Sequence, residues 1–127
     1  MKLSKPKLFF FGVLVLIAVL VVYKMIQTSG PGQYDTFAQC LSEKGVKMYG
    51  AYWCPVCKTQ KTMFGNSWDY IQYVECSKPN RQGQTKFCTD AGILSYPTWE
   101  FSGGEKIEGL QTLEELAEKT NCTVSVA

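Results

Sequence analysis

Residues 46–65 read VKMYGAYWCPVCKTQKTMFG. A mostly apolar stretch, Val46 to Tyr52 with Lys47 its one charge, leads into Trp53 and Cys54; Pro55 follows, and Gly65 closes the segment. The pattern predicts a buried strand over 46–52 and a helix over 55–64, with proline at its first position and glycine at its end. Cys54 and Cys57 then bracket the helix start. There, unsatisfied backbone N–H groups and the positive end of the dipole favour a thiolate. A thiolate exposed at Cys54 can attack a partner disulfide. Cys57, one turn deeper, can resolve the mixed disulfide that forms.

The same motif could be a zinc knuckle or a plain structural bridge. Zinc needs two further ligands at short spacing. Cys76 and Cys88 are twelve residues apart and the chain has no histidine, so no metal is expected. The missing histidine also removes Ser–His and Cys–His nucleophile pairs and imidazole-based pH switching.

Further along the chain stands Tyr96-Pro97-Thr98, opening a short stretch, Thr98 to Phe101, that reads as a strand. A proline ahead of a strand can be a turn residue and nothing more. Beside a redox pair, a cis X–Pro bond removes a donor and turns the preceding carbonyl and N–H toward an incoming extended peptide. The expectation is a cis Tyr96–Pro97 bond next to Cys54. Trp53, Tyr96 and Pro97 are the candidates for receiving substrate, and Cys54 and Cys57 for catalysis. The lysines after the motif, Lys58 and Lys61, read as a solvated helix face.

Outward from this centre, the periodicity predicts a helix over 34–44, a strand over 71–75 and a helix over 82–91. A strand over 98–101, a turn at Ser102-Gly103-Gly104-Glu105, a strand over 106–108 and a helix over 112–120 complete the pattern. This is an α/β arrangement, a central mixed sheet of about four strands flanked by helices.

The N-terminus is different. Leu8 to Tyr23 is sixteen residues without a charge, nineteen if continued through Lys24 to Ile26. Nineteen helical residues span roughly 28 Å, close to a bilayer core. Lys2, Lys5 and Lys7 precede the run, and Lys24 is the one lysine at its far end. The positive-inside rule places the N-terminus in the cytoplasm and the rest outside. A cleaved signal peptide competes with an uncleaved anchor. No A-x-A site follows, and Pro31 would hinder a cut near Thr28-Ser29-Gly30, which favours the anchor over residues 1–26. Residues 27–33 (QTSGPGQ) read as a linker, and 34–127 as the domain.

The chain has 127 residues, 46% hydrophobic and 19% charged, a globular balance. Outside the first 26 residues it carries nine basic and eleven acidic residues, so −2, and no basic face. Nucleic acid is not an expected partner. All six cysteines lie between Cys40 and Cys122, and an even count suits an oxidising compartment: periplasm, lumen or cell exterior.

Residues 34–122 resemble a thioredoxin-fold domain, in particular the thioredoxin-like domain attached to bacterial vitamin K epoxide reductase homologues. The matching stretches are FAQCLSEKGVKMYGAYWCPVC, KTQKTMFG, YVEC, FCTDAGILSYPTWEF and LEELAEKTNC. The resemblance implies disulfide exchange with protein thiols and disulfides. It assigns Cys54 as nucleophile, Cys57 as resolving thiol, Pro97 as the cis-proline, and Cys76 with Cys88 as a structural disulfide. Cys40 and Cys122 are then left either as a second bridge or as buried free thiols. No bound cofactor is implied.

Three departures matter. The family's helical redox bundle, which passes electrons to a quinone, is replaced by one anchor, so a quinone-linked membrane enzyme would have to act in trans. The family commonly has histidine where Val56 stands, and valine implies a less oxidising couple. Finally, Met48 occupies the region where cytoplasmic thioredoxins bury an aspartate. Water or the more distant Glu100 would then have to take the proton from Cys57. The resulting reading is a membrane-anchored extracytoplasmic thiol–disulfide oxidoreductase. The alternatives are a reductase or isomerase rather than an oxidant, and a non-catalytic tethered binding module.

Overall fold

The structure is a computed structural model that describes residues 5–27 and 30–126. Contacts divide the chain into two units, Met1–Gly30 and Pro31–Ala127. Lys2, Thr28 and Ser29, on which parts of the anchor and linker readings rest, lie outside the described residues.

The first unit is one helix, α1 (Lys5–Gln27). Within it Pro6–Met25 is long and apolar enough to cross a membrane. Its leucines, valines and phenylalanines are exposed, from Leu8 through Val22. A helix apolar on all sides is what a bilayer accommodates.

The second unit starts with α2 (Asp35–Glu43) and β1 (Lys47–Gly50), followed by α3 (Pro55–Phe64), a 3-10 turn (Gly65–Tyr70) and β2 (Gln72–Glu75). Another 3-10 turn (Pro79–Arg81), α4 (Lys86–Asp90), β3 (Thr98–Glu100), β4 (Lys106–Glu108) and α5 (Leu113–Thr120) complete it. The sheet runs in the order β2-β1-β3-β4. β1 and β2 are parallel, with Met48 beside Tyr73, whereas β3 lies antiparallel to both β1 and β4. This is the mixed, helix-flanked sheet of the thioredoxin fold.

Period-two alternation sends Met48 and Tyr49 to opposite faces of β1. Met48 joins the larger core with Phe37, Leu41, Phe64, Trp99 and Leu116, and Tyr49 joins a smaller one with Cys76, Cys88 and Ile93. Both faces of the central strand are therefore buried, which is why 46–52 is mostly apolar, Lys47 at its start being ion-paired with Glu100.

Among the buried polar side chains, Gln60 bonds to a residue of the larger core. Gln60 is fully buried. Its Oε1 accepts from Trp99 Nε1 at 3.2 Å and from the Gln111 amide at 2.9 Å, while its Nε2 donates to the Gln111 carbonyl at 2.9 Å. Gln60 thus ties α3 to β3 and to the chain leading into α5. Replacing it with leucine orphans three buried groups. Gln60→Leu is expected to destabilise the domain by about 2–3 kcal/mol, read as a lower denaturation midpoint at unchanged slope. An unchanged midpoint would contradict this role.

Several element boundaries differ from the sequence expectation, each for a local reason. The first strand is shorter than 46–52 because the Val46 amide still closes the end of α2 on Leu41 O, and Ala51 O accepts from the Cys54 amide in a turn. The helix expected over 82–91 begins only at Lys86. Thr85 is its N-cap, extended at ψ 150°, with its side chain accepting from the Cys88 amide. Gln84 pairs in a bridge with Ser77, and the Thr85 amide donates to Cys76 O. The 3-10 turn over Gly65–Tyr70 went unforeseen. Tertiary bonds hold it: Ser67 Oγ donates to Asp35 Oδ1 at 2.7 Å and accepts from the Tyr34 amide at 2.8 Å.

Candidate active site

Cys54 is the N-cap of α3 and Pro55 its first residue. The Cys57 amide donates to Cys54 Sγ at 3.1 Å. It is one of the amides that a helix start leaves unpaired, so the local fold itself aims a donor at the sulfur. The Cys54 thiol faces the Tyr96 carbonyl at 3.8 Å. The Tyr96–Pro97 peptide is cis. Motif and proline loop thus meet at one sulfur atom.

Both cysteines are free thiols. Cys54 is 5% exposed and Cys57 is 1% exposed. The sequence expectation of an openly exposed Cys54 is corrected. Trp53 and Tyr96 pack against the core cluster that includes Cys54. The rings of these two residues meet edge to face at 6.1 Å. Around the sulfur, Tyr52 and Val56 are 47% and 43% exposed, so the motif sits at the surface under a partial aromatic cover.

Trp53 is half-buried and anchored. Its Nε1 donates to Ser77 Oγ at 2.8 Å, and the Arg81 guanidinium lies 5.6 Å from the ring centroid. Asn80 and Arg81 both take left-handed backbone, φ 56° and 57°, which is uncommon away from glycine. The disulfide Cys76–Cys88, with Cα atoms 5.6 Å apart, closes the segment that carries them. Cys40 pairs with Cys122, Cα atoms 6.0 Å apart, joining α2 to the chain just past the Asn121 cap of α5. Pro97 is buried.

The environment of Cys57 separates it from Cys54. Burial first, then its hydrogen bonding with Cys54, push the Cys57 thiol up to about 12. The charge of Lys61 pulls the other way. Lys61 is not a free solvated residue: its Nζ lies 3.9 Å from the Tyr73 ring centroid and 5.5 Å from that of Trp68. Glu100 does not serve this thiol. It is ion-paired with Lys47 at 3.2 Å and Lys106 at 3.1 Å and accepts from Tyr49 Oη. Burial opposes its charge, but the bonds from Lys106, Lys47 and Tyr49 outweigh burial and hold the carboxyl below the usual range.

A different carboxylate lies near. A Cβ built on Gly50 would stand 3.1 Å from Cys57 Sγ and 3.3 Å from the Tyr73 hydroxyl. That hydroxyl donates to Glu75 Oε2 at 2.8 Å. The sequence did carry a signal for these residues. Tyr73 and Glu75, two apart on a strand, share a face, and a glycine within a strand marks a close approach. Among the described residues no group of three or more histidine, cysteine or acidic residues could hold a metal ion.

Similarity to known proteins agrees with this geometry. No protein-family model matches the chain. It is similar to a thiol-disulfide oxidoreductase. The relative is the thiol-disulfide oxidoreductase LTO1 of Arabidopsis thaliana, 39% identical over 106 residues. The alignment takes in 80% of this chain and 28% of that protein, so the chain spans less than a third of its relative's length.

Proposed function

We propose that the chain is a membrane-anchored thiol–disulfide oxidoreductase that exchanges disulfides with protein partners through Cys54 and Cys57. The observation that carries this is the shared position of Cys54 Sγ, which receives the Cys57 amide and faces the carbonyl before Pro97. A thiolate there attacks one sulfur of a partner disulfide; the other sulfur leaves as a thiolate and takes a proton. Cys57 then attacks Cys54 Sγ, and the partner departs as a dithiol. Two electrons have passed to the partner, and Cys54–Cys57 has become the disulfide. The same steps in reverse oxidise a dithiol. Trp53 and Tyr96, both partly exposed, form the surface on which a partner segment lies, while Pro97, buried, acts from beneath by holding the Tyr96 carbonyl beside Cys54 Sγ.

In this reading residues 8–26 hold the chain in a membrane, with the N-terminus cytoplasmic and the domain outside, in keeping with the lysines before the apolar run. A membrane enzyme resembling vitamin K epoxide reductase, quinone-linked, would exchange electrons with the Cys54–Cys57 pair in trans. The resemblance of residues 34–122 to domains attached to such enzymes supports that partnership. Val56, apolar and exposed between the cysteines, favours the less oxidising end of the range and hence a reductase or isomerase direction.

The test is catalysis of insulin reduction by dithiothreitol, using the full chain in detergent. The wild type is expected to accelerate precipitation of the insulin B chain, and Cys54→Ser to fall to the uncatalysed rate. A wild type that never turns over a disulfide, with Cys54→Ser indistinguishable from it, would leave only the non-catalytic binding module; a Cys54→Ser variant as active as a catalytic wild type would take the reaction away from Cys54.

A further inference from the structure

If Cys57 is the resolving thiol, it must lose its proton before it can attack. A thiol shifted as far as this one is almost wholly protonated at neutral pH. The groups that face it are few. Cys54 adjoins it at the start of α3, the Ala51 backbone hydrogen-bonds it, Lys61 lies one turn further along the same helix, and Tyr73 approaches from β2 with Glu75 bonded behind its hydroxyl. Tyr96 approaches from the loop before β3. Cys54 is tied up in the mixed disulfide at this step, and Lys61 as a cation cannot accept a proton. Tyr96, whose hydroxyl burial also pushes up, has no carboxylate on it that a hydrogen bond would identify.

Tyr73 does. Its hydroxyl and Cys57 Sγ border the same gap, the space that a side chain at position 50 would fill. Tyr73 Oη donates to Glu75 Oε2, and Glu75 Oε1 accepts from the Ser77 amide at 2.8 Å and the Tyr52 amide at 3.2 Å. The carboxylate is therefore held in place on both oxygens. We propose that Tyr73 and Glu75 form a proton relay that deprotonates Cys57 across the Gly50 gap during release of the mixed disulfide. The inference rests on the exchange reading above and assigns that reading its base.

The step balances as follows. The Cys57 S–H proton passes to Tyr73 Oη, directly or across one water in the gap, as the Tyr73 proton moves to Glu75 Oε2. The Cys57 thiolate attacks Cys54 Sγ, the bond from Cys54 to the partner sulfur breaks, and the partner leaves with the electron pair. Glu75 returns its proton to solvent, on which it opens. Burial, and then the bond to Glu75, push the Tyr73 hydroxyl up, so in the relay it gives its proton to Glu75 as it receives one from Cys57. Lys61, over the Tyr73 ring, places a positive charge where the thiolate forms. Gly50 is required because any Cβ would fill the gap and meet Tyr73 Cε2 at 2.9 Å.

The experiment is stopped-flow reaction of the reduced full chain in detergent with 4,4′-dithiodipyridine. Attack by Cys54 releases one thiopyridone; resolution by Cys57 releases a second, so the two steps appear as two absorbance phases. Tyr73→Phe keeps the ring under Lys61. Glu75→Gln keeps an acceptor for the Ser77 and Tyr52 amides but cannot take the proton. Both are expected to leave the first phase within about twofold of wild type and to slow the second by about tenfold or more at pH 7. The pH profile of the second phase should move upward, because hydroxide must now do the work. The double variant should be no slower than either single one, since both act on one path. A second phase unchanged in rate and pH profile in both variants overturns the relay, leaving exchange intact. Absence of the first phase in the wild type overturns the exchange reading itself, and the relay with it.

Discussion

Cys57→Ser, offered insulin, is expected to accumulate a covalent complex through Cys54 that dithiothreitol releases. The wild type resolves that complex through a thiol already bound beside it. An intramolecular attack of this kind carries a large effective concentration, so removing it should lengthen the complex's lifetime on the order of 100-fold or more. The geometry sets the direction of the asymmetry. Cys54 is the helix cap beneath the surface aromatics, and Cys57 is 1% exposed behind it. The reciprocal variant, Cys54→Ser, should trap nothing, because a serine hydroxyl does not attack disulfides and Cys57 is both buried and protonated. Non-reducing electrophoresis with mass spectrometry reads the result. Equal trapping by the two variants would mean that the sulfurs are not ordered as the structure orders them.

The second large effect falls on stability. Cys40–Cys122 spans a sequence separation of 82 and joins α2 to the end of the domain. In the chain-entropy model, a loop of that length stabilises by roughly 4 kcal/mol. Cys76–Cys88 spans only 12 and should contribute less. Cys40→Ala with Cys122→Ala is therefore expected to remove a large part of the domain's stability, seen in denaturant titration, while insulin reduction by the folded fraction persists. A loss below about 1 kcal/mol would show that the unfolded chain gains little freedom when this bridge is absent. The contrast between these two variants separates sulfur that holds the fold from sulfur that reacts.

Much of this was legible in the amino-acid order because the signals were local. Pro55 and Gly65 mark α3 to the residue, and Thr112 with Glu115 forms the capping box that starts α5. The cysteine pair is readable because spacing along one helix turn decides it. What was not legible depended on groups distant in sequence. Thr85 stops α4 from extending backward because Cys76 O and Ser77 claim the backbone on either side. Gln60 carries no sequence signal of its own, yet Trp99 and Gln111 draw it into the core. For the group that takes the Cys57 proton, the sequence offers water or Glu100 on β3, with Met48 on β1 where an acid could have stood. The proposed relay lies instead on β2, the parallel neighbour, whose register with β1 sets Tyr73 beside Met48 and Glu75 beside Gly50. Strand order is a tertiary property, and with it comes the choice of which carboxylate reaches the thiol.

The most direct measurement is equilibration of the full chain in detergent with glutathione buffers of graded ratio, followed by acid quench, alkylation and intact mass. Cys54 and Cys57 should titrate together as one reversible two-electron couple, with Cys40–Cys122 and Cys76–Cys88 remaining bonded throughout. If Cys54 and Cys57 stayed as thiols at every ratio, or oxidised only together with loss of the other two bridges, the pair would not be a redox couple and exchange at Cys54 would be contradicted.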